Sequence, residues 1–267
     1  MKRSVSHTGF PAQLLPWLLP AILLLLWIAA CETGRVPAYL LPHPREIFAT
    51  ATAYIFGAAG QETYAGRFWG DLIASSVRVM WGFGLAAVAG IPLGILSGRI
   101  VSVNRLLSMT VNALRAVPGI SWLPLAMVWF GIGLKTTVFL VALAAFFPIY
   151  LNAEAGARQV NPILLQAGAM MGVHRLRGTF AILIPAAMPQ IITGLRLGMG
   201  ISWAYLVLGE LTGVPNGLGA VIMDARMLGR IDVIIVGILM IALIGRICDL
   251  GLNQLLRLSF KSARRLP

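Results

Sequence analysis

Residues 161–185, NPILLQAGAMMGVHRLRGTFAILIP, separate two long apolar runs and are too polar and too interrupted to cross a bilayer themselves. We predict two short helices in this stretch. Asn161 is a favourable N-cap, and Pro162 suits the first helical position, where a missing N–H costs nothing. The first helix should end near Met171, because Gly172 readily adopts the left-handed conformation that closes a helix.

A second helix is predicted to follow through the basic residues His174, Arg175 and Arg177. It should stop near Pro185, which cannot continue a hydrogen-bonded ladder. Two short helices between two membrane spans indicate a docking surface for another protein. The alternative is a solvated loop whose apolar residues lie on the lipid surface.

The composition is that of a membrane protein. Of the 267 residues, 58% are hydrophobic and 11% are charged, against roughly 25% charged in an ordinary soluble domain. The net charge of +12 is explained by Lys and Arg in loops that stay in the cytoplasm, so no nucleic-acid partner is expected. Cys31 and Cys248 are far apart and form neither a metal-binding spacing nor a disulfide framework.

Six apolar stretches are candidates for transmembrane helices. Their predicted bounds are 14–30, 71–97, 106–133, 136–155, 186–211 and 233–256. If both termini are cytoplasmic, the basic residues of four segments fall on one side of the membrane. These segments are the N-terminus 1–13, the turn between spans two and three, the loop between spans four and five, and the tail 258–267. That agrees with the positive-inside rule. The predicted fold class is an all-α polytopic membrane protein.

The segments around these spans have distinct predicted roles. For residues 14–30, a cleaved signal sequence or a lipoprotein processing box at Ile28–Cys31 is the alternative to a first span. Residues 31–70 are predicted to form an external loop, with a short helix opened by Pro44 at the membrane interface. The transmembrane core is predicted over 71–257, and it includes a cytoplasmic loop at 157–185.

Two spans contain residues that affect helix geometry. In the third span, Pro118, Gly119 and Pro124 should kink the helix, which a membrane tolerates where protein or a cavity covers the freed carbonyls. In the second span, small residues should let neighbouring helices approach closely. These residues are Gly82, Gly84, Gly90 and Gly94.

One arginine is a candidate for the substrate pathway because of its depth. Arg196 lies about eleven residues into the fifth span, roughly 16 Å along it, where an ionisable group is a functional candidate. Its guanidinium would attract a sulfonate or nitrate by charge and forked hydrogen bonds. The alternative is an ion pair with Asp249 on the sixth span. Trp122 and Trp203 are further pathway candidates, with interface anchoring or packing as the alternative.

Three other charged residues are expected near span ends. We predict that Arg78 and Arg115 extend their guanidinium groups towards the interface. We predict that Glu210 is a solvated charge near the outer mouth.

The 161–185 stretch also carries a recognisable pattern. Inner-membrane permeases of ATP-binding-cassette importers contain E-A-A, three residues, Gly, nine residues and I-x-L-P. This chain resembles them through Gln166-Ala167-Gly168, Gly172 and Ile182-Leu183-Ile184-Pro185, with Gln166, Gly168 and Ile184 departing from the pattern. Other segments resemble the nitrate/sulfonate/taurine branch of these permeases. They include 76–83 (SVRVMWGF), 90–94 (GIPLG), 115–118 (RAVP), 129–133 (WFGIG) and 194–197 (GLRL).

The resemblance covers roughly residues 14–257 and implies a type I importer permease fold in the bacterial inner membrane. It also implies a second copy of this chain, two cytoplasmic ATPase subunits and an external solute-binding protein. ATP and Mg would be bound by the ATPase, so this chain would hold no cofactor and no catalytic residue. In that family the first helix of the loop inserts into a groove on the ATPase. The residues predicted to couple to the ATPase are Gln166, Ala167, Gly168, Met170, Met171, Gly172, His174, Arg175 and Pro185.

Two other functional classes fit the sequence less well. An ion-coupled secondary transporter or channel usually needs buried carboxylates or a pore ring. Acidic residues are scarce in this sequence, with nine Asp and Glu in all, and we expect most of them near span ends. The two halves of the chain also do not look like inverted repeats. An intramembrane enzyme is disfavoured because the sequence contains neither H-E-x-x-H nor G-x-S-x-G and no histidine falls inside a predicted span. The phosphate-binding G-x-x-x-x-G-K-[ST] is also absent from the sequence, so a partner would have to bind ATP. By resemblance the solute is an aliphatic sulfonate or taurine ahead of nitrate, and a pyrimidine precursor is the competing substrate.

Overall fold

The computed structural model describes residues 15–34, 37, 39–58 and 63–259. The regular secondary structure of this part of the chain is helical throughout, which confirms the predicted all-α class. The α-helices are α1 (Leu15–Glu32), α2 (Pro44–Phe56), α3 (Phe68–Arg99), α4 (Val101–Ala116), α5 (Leu123–Phe130), α6 (Leu134–Gln159), α7 (Pro162–Met170), α8 (Arg175–Gly178), α9 (Ile184–Glu210), α10 (Leu218–Met227) and α11 (Ile231–Ser259). The predicted cytoplasmic N-terminus and all but the first two residues of the predicted tail lie outside the described residues.

Four of the described helical stretches are long and apolar enough to cross a membrane. They are Phe68–Arg99, Leu134–Gln159, Leu176–Glu210 and Ile231–Leu256. A fifth span results if α4 and the segment Gly119–Phe130 are counted as one broken span. The segment Trp17–Glu32 of α1 is also apolar but is shorter than these four stretches. The count of six spans and the location of the termini therefore stay predictions.

The third predicted span is two helical segments rather than one kinked helix. Helix α4 ends at Ala116, and Val117 and Pro118 are extended, with ψ values of 120° and 130°. A 3₁₀ turn (Gly119–Trp122) then leads into α5, and the two segments are bent by 91°. Pro118 explains the position of the break, because it lacks an N–H and disfavours a helical conformation at Val117.

The centre of the protein is formed by α3, α6 and α9, whose backbones approach closely. A Cβ added at Gly82 would lie 2.5 Å from Cγ1 of Val141, and one at Gly94 would lie 2.5 Å from the carbonyl oxygen of Tyr150. The predicted close approach is confirmed at these positions, whereas Gly84 faces open space. Small residues thus allow side chains of α6 to pack directly on the backbone of α3.

A buried ion pair connects α3 to the C-terminal end of α9. Nη1 of Arg78 donates to Oε1 of Glu210 at 2.6 Å, and Ser75 Oγ and the Gly219 N–H also donate to the Glu210 carboxylate. Glu210 is fully buried and Arg78 is 6% exposed. The predictions of a solvated Glu210 and an interfacial Arg78 are therefore wrong. Pairing with extra hydrogen bonds compensates for the burial of both charges.

Helix α2 begins at Pro44, where the sequence predicts a helix start, and it packs against α3 and α11. The Tyr54 hydroxyl donates to Oδ2 of Asp71 at 3.0 Å, and Thr50 Oγ1 donates to Oδ2 of Asp232 at 2.9 Å. Burial, with the Asp71 carboxylate nearby, raises the pKa of Tyr54, so this hydroxyl stays protonated and available as a donor. One face of α2 is thus fixed to the protein.

Candidate functional site

The first helix of the 161–185 stretch begins as its sequence predicts. Helix α7 starts at Pro162, and Oδ1 of Asn161 accepts a hydrogen bond from the Ile163 N–H at 3.0 Å. This contact satisfies one of the backbone donors that the first turn leaves free. The start of α7 is therefore encoded locally by two residues.

The end of α7 also follows the prediction. Gly172 has φ +78°, in the left-handed region. The Val173 N–H donates to the Gly168 carbonyl at 2.9 Å, and the Gly172 N–H donates to the Ala169 carbonyl at 3.0 Å. These two bonds form a Schellman motif, which closes a helix and turns the chain sharply.

Packing between the two halves of the stretch brings two parts of the sequence motif into contact. Gly168 is buried, and a Cβ added there would lie 2.5 Å from Cδ1 of Ile182. Val173 is half-buried beside them. A small residue at position 168 therefore lets α7 lie against the chain segment that follows it.

The remaining motif residues leave an exposed surface, which we call the hairpin surface. Met170 is 91% exposed and Met171 is 77% exposed. The hairpin surface consists of Gln166, Ala167, Met170, Met171 and His174, all of them exposed. The side chain of Arg175 lies outside the described residues. Exposed, flexible methionines are typical of surfaces that bind another protein.

The second helix of the stretch differs from the prediction. Helix α8 has four residues and passes through a π-helical turn (Thr179–Leu183) directly into α9, so Leu176–Glu210 forms one 35-residue helical stretch. The Ile184 N–H bonds to the Thr179 carbonyl, five residues back, and Pro185 follows at the second position of α9. The predicted stop at Pro185 is wrong because this shift in hydrogen bonding accommodates the missing N–H.

The three predicted pathway residues lie at separate places. Nε and Nη2 of Arg196 donate to the two carboxylate oxygens of Asp249 at 3.2 and 3.3 Å, and Arg246 also contacts this carboxylate. This is the geometry of the alternative interpretation, an ion pair between α9 and α11. Trp203 is 4% exposed and packs near Gly245 of α11.

Trp122 lies at a different position, where it lines a cavity of about 430 Å³ beside the break after α4. Arg115 and Tyr205 line the same cavity. Neither residue stands out in the sequence as a pathway candidate, although Pro118 and Gly119 mark the break. In the part of the chain that the structure describes, no three His, Cys, Asp or Glu side chains form a group that could hold a metal ion.

Comparison with known proteins gives a consistent result. The family model described as binding-protein-dependent transport system inner membrane component matches residues 90–261. The chain is 33% identical over 238 residues to the taurine transport system permease protein TauC of Escherichia coli, covering 89% of this chain and 85% of the relative. It is 34% identical to the putative aliphatic sulfonates transport permease protein SsuC of Bacillus subtilis, covering 87% and 81%.

A third relative is the nitrate import permease protein NrtB of Synechocystis, with 31% identity covering 93% of this chain and 90% of the relative. Among solved structures, a chain of the inward-facing MetNI methionine ABC transporter superposes with a TM-score of 0.59 at 21% identity. The match covers 72% of this chain and 93% of that chain. At this identity the likeness concerns the fold.

Proposed function

The chain belongs to the family of inner-membrane components of binding-protein-dependent transport systems, and from this premise we propose that it is the transmembrane permease subunit of an ATP-binding-cassette importer. Its role is to form the translocation pathway for a small anionic solute in the inner membrane. The 161–185 stretch couples that pathway to a cytoplasmic ATPase.

The observation that carries this proposal is the geometry of the coupling stretch. Helix α7 is capped at both ends, closed by the left-handed Gly172, and packed through Gly168 against Ile182. It is therefore a preformed element rather than a solvated loop. It presents Met170 and Met171 outwards, and the tight turn at 171–174 connects it to the continuous helical stretch Leu176–Glu210. A partner that binds α7 would therefore move a membrane helix.

The remaining coupling residues have defined roles in this proposal. Gln166, Ala167 and His174 are exposed and contribute contacts, and Arg175 contributes a positive charge to an acidic partner surface. Pro185 lies just after the π-helical turn and fixes where that turn ends. Gln166 offers hydrogen bonds but no charge, so the contacts that α7 makes with the ATPase rely on shape and apolar area, and the charge comes from Arg175.

The proposed assembly contains two copies of this chain, two ATPase subunits and an external solute-binding protein, surrounded by lipid. ATP and Mg are bound by the ATPase. The solute is an aliphatic sulfonate such as taurine, or nitrate, because relatives of this chain at 31–34% identity are named for taurine, aliphatic sulfonates and nitrate. None of the three relatives cited above is named for a pyrimidine precursor, so that alternative has less support.

An ion-coupled secondary transporter is the rival function, and it would need a carboxylate free to exchange a proton or cation. Glu210 receives hydrogen bonds from Arg78, Ser75 and the Gly219 N–H. Asp71 receives them from Tyr54 and the Gly217 N–H. Both carboxylates have fixed partners, which favours a structural role for them.

Purification of the full chain from its native membrane tests the proposal. We expect a nucleotide-hydrolysing subunit to co-purify in equal stoichiometry, and solute uptake into liposomes to require ATP inside together with that subunit. A cysteine placed at Met171 should react with a membrane-impermeant maleimide only from the cytoplasmic side. Uptake by the chain alone, driven by an ion gradient, would refute the permease role.

A further inference from the structure

The cavity at the break between α4 and α5 lies deep within the transmembrane part of the protein. Leu143, Phe147 and Leu151 of α6 form one wall. Leu143 is nine residues after the start of α6 and Leu151 is eight before its end, so this wall lies about 12–14 Å from either end of the helix. The cavity is therefore near the middle of a spanning helix.

The backbone of the broken segment is not helical where it lines this cavity. Val117 and Pro118 are extended, and both line the cavity together with Gly119. Non-helical backbone at membrane depth is tolerated only where protein buries it or where it faces a water-filled space. Broken helices in transporters are where solutes bind. The non-helical backbone and the cavity thus mark the same place in the fold.

Two hydrogen-bond donors at this cavity have no partner within the described residues. Arg115 is exposed at the C-terminal end of α4, and the half-buried Tyr205 of α9 packs directly on Gly119, where an added Cβ would overlap its ring and hydroxyl. Neither side chain forms a hydrogen bond or ion pair with another residue that the structure describes. Arg196, in contrast, is paired with Asp249.

The rest of the cavity lining is mainly apolar, with the rings of Trp122 and Phe147 among its walls. A bare inorganic anion would satisfy the guanidinium and leave these walls in contact with water. An anion with a short hydrocarbon part would satisfy the guanidinium and also cover the walls. A volume of about 430 Å³ accommodates such an ion.

We propose that this cavity is the solute subsite of the translocation pathway and that it binds alkanesulfonates, with Arg115 and Tyr205 donating to the sulfonate and Trp122 and Phe147 packing on the hydrocarbon part. The proposal rests on the permease function and names the substrate class and the residues for it. Arg115 is the charge that attracts the anion, and Tyr205 orients it against the broken helix. Ordinary sulfonates carry no donor, so a guanidinium and a hydroxyl are a matched set.

The test measures binding to the full chain, with any co-purifying subunits, in phosphatidylcholine nanodiscs by titration calorimetry. The probes are ethanesulfonate, butanesulfonate, hexanesulfonate and nitrate. We expect affinity to rise about three- to fourfold per methylene from ethane- to hexanesulfonate, with nitrate the weakest probe. Lack of any dependence on chain length in the wild-type protein would overturn the proposal, and this arm needs no variant.

Variants then assign the donors. Arg115→Gln should weaken hexanesulfonate binding about ten- to a hundredfold, and Tyr205→Phe about two- to tenfold, as expected for a charged and a neutral hydrogen bond. Arg115→Lys keeps the charge and should lose less. The matched control is Arg105→Gln, which removes an exposed arginine ten residues earlier on the same helix and should bind as the wild type does.

Each remaining result has a defined meaning. Equal affinity for Arg115→Gln and wild type in a preparation that retains the ATPase overturns the subsite and leaves the permease function intact. Arg115-dependent binding in a chain that neither holds an ATPase nor supports uptake overturns the permease function instead. Loss of sulfonate binding in phosphatidylglycerol nanodiscs would show that the cavity takes a lipid headgroup and would also overturn the proposal.

Discussion

Replacement of Gly172 by valine tests the link between the left-handed residue and the coupling stretch. Gly172 has φ +78° and no atom of another residue near the position of an added Cβ. The substitution therefore causes no clash, and its cost is the backbone strain of a β-branched residue in the left-handed region, about 1–3 kcal/mol. That strain should lower the population of the closed α7 end by about 5- to 150-fold.

Two measurements report this change. Hydrogen exchange at the Val173 amide, which donates to the Gly168 carbonyl, should accelerate by the same factor as the closed conformation is lost. Retention of the ATPase subunit on the purified chain should fall in parallel. Thermal unfolding of the spans should change little, because the packing of α3, α6 and α9 is remote from this turn.

Gly172→Asn is the matched control at the same position. Asparagine tolerates the left-handed conformation better than other non-glycine residues, so this variant should keep most of the Val173 protection and most of the bound ATPase. If Gly172→Val showed wild-type exchange at Val173 and wild-type ATPase retention, the coupling role of the closed turn would be refuted.

Three further predictions concern other parts of the structure. Glu210→Ala leaves the Arg78 charge buried without its carboxylate partner and should lower stability by about 3–5 kcal/mol in thermal or chaotrope unfolding. The double variant Arg78→Met/Glu210→Met removes the unpaired charge and should recover part of this loss, while the Ser75 hydroxyl and the Gly219 N–H still lack their acceptor. No recovery at all would contradict the ion-pair interpretation. Met170→Asp should change stability by less than about 0.5 kcal/mol yet release the ATPase. The control Met227→Asp, at a residue of α10 that is 74% exposed, should retain it. Retention of the ATPase by both variants would argue against binding of the ATPase to the hairpin surface. Arg196→Ala should reduce uptake of a radiolabelled sulfonate if its guanidinium serves the pathway, and intact uptake with a lower protein yield would assign it to its ion pair with α11.

Features decided by neighbouring residues were predictable from the sequence. The start of α7 depends on Asn161 and Pro162, and its end depends on Gly172, so each requires only a few consecutive residues. The break near Pro118 was anticipated for the same reason, because a proline disrupts the helix wherever the rest of the chain lies. The 91° bend was not, since a local pattern does not show contacts such as that of α5 with α6.

Features decided by distant residues were not predictable. Glu210 is buried because Arg78, 132 positions away, donates to it. Either residue alone reads as a charge near a span end. Pro185 was expected to stop a helix, and only the π-helical turn before it shows how the chain continues. The cavity lined by Arg115 and Tyr205 likewise requires α4 and α9 to meet across the fold.

The uninterrupted helical stretch from Leu176 to Glu210 has a mechanical consequence. Its 35 residues form a lever about 52 Å long. A tilt of about 10° around the Glu210 end would displace the Leu176 end by about 9 Å. Tyr205, five residues from the pinned end, would shift by only about 1 Å in the same stroke. A tilt of this stretch would thus produce a large displacement at the Leu176 end, whereas a solute bound beside Tyr205 would move very little.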